Sequence, residues 1–264
     1  MGDIHSLQGQ VALVTGGGVG IGRAIAKALL GQQAGVAICG RRVEELERTA
    51  GDLIQASGEV LSVPCDVTQR VDVERTIKRV IQKFGRLDIL VNNAGVSGQT
   101  PIHDLDDSKW QNILQVNLTG SYLVSKLAIP HMLIHHYGRI IIISSVLGRF
   151  GVAGYLAYCT AKHGILGSTK ALALEVASQG ITVNAICPTW VDTPMARQGI
   201  EETAASLGFS PDEFREIAIS TIPIKRMAEA EEVASVVLYL CSHAASAITG
   251  QALNVCGGTT AGTV

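Results

Sequence analysis

The stretch Tyr155–Lys162, YLAYCTAK, holds two tyrosines and one lysine. A phenol can give a proton to a carbonyl oxygen or take one from an alcohol, and an ammonium nearby favours the phenolate. On a helix, residues i and i+4 lie one above the other. Tyr158 has Lys162 in that place, whereas Tyr155 has Cys159. Only Tyr158 can share a cleft wall with a cation. The same spacing also suits a packed tyrosine and a solvated lysine, so other stretches must decide.

A second candidate lies in the glycines of TGGGVGIG, Thr15–Gly22. Gly16, Gly20 and Gly22 give the spacing G-x-x-x-G-x-G, with Ile21 between the last two. After an apolar run and before a helical one, such a turn lets backbone amides approach a pyrophosphate at a helix N-terminus. About 20 residues further on, where a dinucleotide ribose is held, the chain reads CGRR, Cys39–Arg42. An acid would take the 2′-hydroxyl of NAD(H). Gly40 leaves room instead, and Arg41 or Arg42 can pair with a 2′-phosphate, which favours NADP(H) over NAD(H). The competing reading is that both arginines open a solvated helix beside Glu44 and Glu45. The seven histidines show no ligand spacing, so no metal is expected.

Something must position these residues. The chain has 264 residues, 47% apolar and 17% charged, which suits a large core with much buried strand. Apolar runs at Val11–Thr15, Gly35–Cys39, Val60–Asp66, Leu87–Gly95, Arg139–Ser145, Ile181–Cys187 and Ala252–Val255 read as strands. Amphipathic stretches alternate with them, including Val43–Ala56, Val71–Phe84, Ala157–Ser178 and Glu229–Cys241. A longer one, from about Ser108 to His136, should be kinked or interrupted at Pro130. Strands of continuous apolar character alternating with helices mean βαβ units and a parallel sheet covered on both faces. Right-handed crossovers then give a doubly wound, Rossmann-like α/β fold. We expect residues 1–264 to form one domain. The irregular segment at about 188–224 is a candidate substrate lid, with a helix starting at Ser210-Pro211 and capped by Glu213.

The net charge of −2 offers no bulk attraction for nucleic acid or an anionic membrane, and the apolar runs are too short to span a bilayer. Six scattered cysteines, with no C-x-x-C pair, read as free thiols in a reducing cytoplasm. The N-terminus has no secretory pattern, and the match of Gly2 and Ser6 to a myristoylation motif is taken as coincidence.

Four stretches, TGGGVGIG, NNAG (Asn92–Gly95), Ser145 with Tyr158-x-x-x-Lys162, and NAICPTWVDTP (Asn184–Pro194), together resemble the classical short-chain dehydrogenase/reductase family. The resemblance spans essentially the whole chain. It implies Tyr158 as acid/base, and Lys162 as the lysine that binds the nicotinamide ribose and lowers the tyrosine's pKa. It implies Ser145 as donor to the substrate carbonyl and Asn117 as anchor of a proton-relay water. It places Asp66 and Val67 at the adenine, and Asn93, Ala94 and Gly95 along the middle of the cofactor. Pro188, Thr189, Val191 and Thr193 would wrap the carboxamide. Thr189 departs from the glycine usual there and puts the local loop geometry in question. A drop in the tyrosine's pKa of roughly 3 units, about 4 kcal/mol, would suit reversible proton transfer near neutrality.

Similar wording to 3-oxoacyl and polyketide ketoreductases occurs at Ala161–Ala196 and Gly250–Gly258. The first expectation is therefore reduction of a 3-oxoacyl or polyketide-like ketone. The alternatives are a dehydrogenase of a small secondary alcohol such as a 3-hydroxy acid, and a non-catalytic dinucleotide-binding redox sensor. Val96–Gln99, Val146–Phe150, Tyr155, Trp190 and Met195 are candidate pocket walls. Arg149 could meet a phosphopantetheine or carboxylate group or stay solvated. The family also implies a homotetramer.

Overall fold

In a computed structural model, residues 6–57 and 59–262 are described, so Gly2 of the myristoylation pattern lies outside them. In chain order the main elements are β1 (Val11–Thr15), α1 (Gly20–Gly31), β2 (Gly35–Gly40), α2 (Val43–Ser57), β3 (Val60–Pro64), α3 (Arg70–Phe84) and β4 (Ile89–Asn92). Then come α4 (Ser108–Leu114), α5 (Gly120–Leu133), β5 (Gly138–Ile143), α6 (Leu156–Val176), β6 (Ile181–Pro188), α7 (Pro194–Leu207), α8 (Pro211–Ser220), α9 (Ala230–Cys241) and β7 (Ala252–Val255).

The seven strands form one parallel sheet in the order β3-β2-β1-β4-β5-β6-β7. Both faces are buried, and each strand alternates its residues between two cores. Ala12 and Val14 of β1 join Ile25, Leu29, Leu46 and Val237 under α1, α2 and α9. Val11 and Leu13 join Ile77, Val80, Val124 and Ile165 under α3, α5 and α6. Continuous β-branched runs suit such doubly covered strands. Strand order reverses between β1 and β4, and folds of this kind take ligands in the crevice beyond the strands' carboxyl ends at such a point.

Pro130 does not interrupt its helix: α5 runs through it to Leu133. The irregularity lies upstream, where Gln115–Thr119 form a π-helical turn between α4 and α5. That turn carries Asn117, and π turns gather at functional positions. The segment after β6 holds two helices. The predicted capping box at Ser210 and Glu213 opens α8, and Thr193 caps α7 through its hydroxyl.

Candidate active site

The glycine turn joins β1 to α1. Gly16 has φ +64°, open to glycine at little cost. A Cβ on Gly22 would lie 2.3 Å from the Gly16 carbonyl oxygen and 2.5 Å from Asn93 Nδ2, so no side chain fits. The backbone is thereby left bare at the start of α1, a cradle that a dinucleotide pyrophosphate fits. Across the crevice, Asn93 Nδ2 donates to the carbonyls of Thr15 (3.0 Å) and Gly16 (3.2 Å). The amides of Asn93 and Ala94 donate to Thr15 Oγ1 at 3.0 and 2.9 Å. Thr15 thus locks the ends of β1 and β4 together, a role that nothing in its local spacing signals.

Arg41 and Arg42 follow β2 and are both exposed. Among the described residues neither side chain has an ion-pair partner, and Glu45 pairs with Arg48 instead. Their exposure just before α2 suits a solvated helix start and equally leaves both guanidinium groups open to a 2′-phosphate. Asp66 Oδ1 accepts from the amide and hydroxyl of Thr68, which shapes the loop after β3. Val67 and Val191 direct their side chains into the cores, Val67 against Gly120. Thr189 donates its amide to Val255, and its hydroxyl lies 3.3 Å from that of Thr259. Its side chain is tied to the C-terminal strand region, which settles where the hydroxyl at this glycine-replacing position goes.

Tyr158, Lys162 and Ser145 converge beside this crevice. Lys162 is buried, 5.3 Å from the centre of the Tyr158 ring, and its Nζ donates to the Ile143 carbonyl at 2.8 Å. Ser144 Oγ donates to the Lys162 carbonyl at 3.0 Å and fixes the helix against the end of β5. Ser145 Oγ accepts from the Leu147 amide at 3.1 Å, so its own proton remains to be donated. Burial pushes the Tyr158 hydroxyl up to about 12, opposed by the neighbouring Ser145 hydroxyl. Burial pulls Lys162 down to about 8, opposed by Cys187. The expected lowering of the tyrosine by Lys162 is therefore not what the protein's own groups produce. Desolvation of the phenolate outweighs them, and the ammonium faces a backbone carbonyl.

Asn117 is buried, with Nδ2 donating to the Val96 carbonyl (2.8 Å) and Oδ1 accepting from the Val96 amide (2.9 Å). Its amide is spent on holding the loop after β4. Thr100 belongs to no motif that marks it in the sequence. Its Oγ1 accepts from the Ala157 amide at 3.0 Å and caps α6, whose own N-cap, Tyr155, makes no side-chain cap. Arg149 turns back to donate to the Ala252 carbonyl. Trp190 lies beneath α7 against Gly199, and Met195 is exposed at the start of that helix.

Bare glycine backbone at the switch point of a doubly wound sheet, with a phenol beside a buried lysine, suits a dinucleotide-binding oxidoreductase. The family model described as enoyl-(acyl carrier protein) reductase matches residues 17–260. The chain is 42% identical over 250 residues to a protein named as a ketoacyl reductase of the granaticin polyketide synthase in Streptomyces violaceoruber, covering 94% of this chain and 92% of that one. It is 39% identical to a D-β-hydroxybutyrate dehydrogenase of Rhizobium meliloti, covering 96% and 99%. The fold matches a variant of an actinorhodin polyketide ketoreductase solved with NADPH, with a TM-score of 0.92 and 40% identity over 98% and 99% of the two chains. The chain belongs to the short-chain dehydrogenase/reductase family.

Proposed function

We propose that the chain reduces a 3-oxoacyl or polyketide-type ketone to a secondary alcohol with NADP(H). The observation that carries this reading is the convergence of Tyr158, Lys162 and Ser145 beside the Gly16–Gly22 cradle. The bound cofactor supplies the hydride and, once oxidised, a positive charge near the phenol. Gly16, Gly20, Ile21 and Gly22 present backbone to the pyrophosphate, and Arg41 and Arg42 take the 2′-phosphate. Asp66 and Val67 border the adenine. Asn93, Ala94 and Gly95 line the middle, and Pro188, Thr189, Val191 and Thr193 surround the carboxamide. Lys162 holds the ribose. Tyr158 gives its proton to the carbonyl oxygen, and Ser145 donates to the same oxygen as negative charge develops. The side-chain amide of Asn117 is committed to Val96 and its main-chain carbonyl accepts from Ser121 Oγ at 2.7 Å, so a relay water anchored at Asn117 would share one of these groups.

The segment at 188–224, with α7 and α8, acts as a lid over the substrate within a single catalytic domain, 1–264. The likeness to ketoreductases and the unpaired arginines support this substrate class and NADP(H). The six free cysteines support a reducing, cytoplasmic setting, and no helix among the described residues is long and apolar enough to cross a membrane. Assembly as a homotetramer follows the family pattern. A second reading, oxidation of a small 3-hydroxy acid, is favoured by the likeness to the hydroxybutyrate dehydrogenase.

The test is NADPH oxidation with a 3-oxoacyl thioester, beside NADH. We expect turnover with NADPH, lost by roughly a thousandfold in Tyr158→Phe while NADPH fluorescence still reports binding. Tyr155→Phe should keep turnover of the thioester. Equal losses in the two variants would sink the assignment. Turnover only of 3-hydroxy acids with an oxidised cofactor would favour the second reading.

A further inference from the structure

Among the described residues, three polar side-chain contacts join α7 to the body of the molecule on the side of the catalytic helix. Ser206 Oγ accepts from Gln99 Nε2 at 3.0 Å, and Glu202 lies 3.9 Å from Lys109 Nζ. Both are solvent-accessible, so each contributes little. The third is different. Tyr155 and Thr203 are both buried, and their hydroxyl oxygens are 2.8 Å apart.

The proton positions in this pair follow from counting. Thr203 Oγ1 lies 2.7 Å from the Gly199 carbonyl, which can only accept, so the single hydroxyl proton of Thr203 is used there. Tyr155 must then donate to Thr203. Its proton is committed to α7, which separates it chemically from Tyr158 three residues later. Tyr155 also stands where the catalytic helix begins. Its preceding residue, Gly154, accepts from the Thr100 amide at 2.7 Å, and Thr100 pairs with Tyr155 as an isolated bridge. The ring is therefore anchored to the body at its backbone and to α7 at its tip.

We infer that Tyr155 is a positioning residue that sets substrate size, clasping helix α7 to the start of the catalytic helix through Thr203. The inference rests on the ketone-reducing reading above. A clasp at this point limits how far α7 stands from Tyr158, and hence the width of ketone the cleft admits. Short linear ketones fit the closed arrangement. Bulky aryl ketones need α7 displaced, at the expense of the buried hydrogen bond.

The test compares a short 3-oxoacyl thioester with a bulky aryl ketone in Tyr155→Phe, Thr203→Val and the double variant. Both substitutions remove a hydroxyl and nearly conserve shape. Turnover of the short substrate is the internal reference in each variant. The preference for it over the bulky ketone, as a ratio of kcat/KM, should shrink roughly three- to tenfold in each single variant. The double variant should add nothing further, because both singles break one contact. Trypsin cleavage at the exposed Arg197 and Arg215 should quicken in all three. An unchanged ratio, additive effects, or unchanged cleavage would overturn the clasp. If the unaltered protein reduces neither ketone, the ketone-reducing reading fails, and the cleavage rates still decide whether Tyr155 restrains α7.

Discussion

Tyr158 and Lys162 stand one helical turn apart, and burial moves them in opposite directions. Tyr158 is pushed up to about 12 and stays protonated, while Lys162 is pulled down to about 8. Below about pH 8 the lysine is charged; above it the charge is lost. Where that charge holds the ribose, kcat/KM for reduction should be flat at neutral pH and fall as pH rises through about 8. Lys162→Arg cannot lose its charge in this range, so its profile should be flat at a lower plateau. A fall at the same pH in both proteins would assign the titration to another group. The i, i+4 pairing of the two residues was legible in the sequence. The Ile143 carbonyl that receives the ammonium was not, because that contact crosses from α6 to the end of β5.

At the scale of elements, the catalytic helix is held at its start by a residue from elsewhere. Tyr155 cannot cap α6 with its ring, and Thr100 supplies the oxygen from the loop after β4. Thr100→Val keeps the shape and removes the acceptor. It should lower stability in urea melts by about 1 kcal/mol. It should also lower kcat roughly tenfold, because Tyr158 lies in the first turn that the cap holds. A stability loss with unchanged kcat would show that the cap does not position the phenol. Helix limits such as those of α3 were readable from periodicity. Pro130 does not end its helix, since tertiary packing more than local propensity holds α5. The π turn at Gln115–Thr119 has no sequence signal of its own.

Across the whole molecule, the two ends of the sheet divide their work. The carboxyl ends carry the crevice. At the amino ends, fully buried Asp88 accepts from the Val11 amide at 2.9 Å and from Arg86 through two bonds of 2.8 and 2.7 Å. This ties β1 to β4 far from Tyr158. Asp88→Asn leaves Arg86 facing a neutral amide. Since Arg86 is partly exposed, the cost should be about 2 kcal/mol, below that of breaking a fully buried pair. Thermal denaturation should show the loss while kcat stays unchanged. A fall in kcat at temperatures where the variant is folded would mean that the two ends are coupled.

By itself the sequence determined the alternation of strand and helix, the parallel sheet, the glycine cradle, and which tyrosine stands over a lysine. These follow from local periodicity and from residues whose backbone or side-chain chemistry has few substitutes. Tertiary structure alone decided the partners of those residues: Thr15 joining two strand ends, Asn117 committed to Val96, Thr100 capping α6, and Tyr155 donating to Thr203. Each of these joins segments between 21 and 79 residues apart. Only packing brings such segments together, so no spacing along the chain could have announced them.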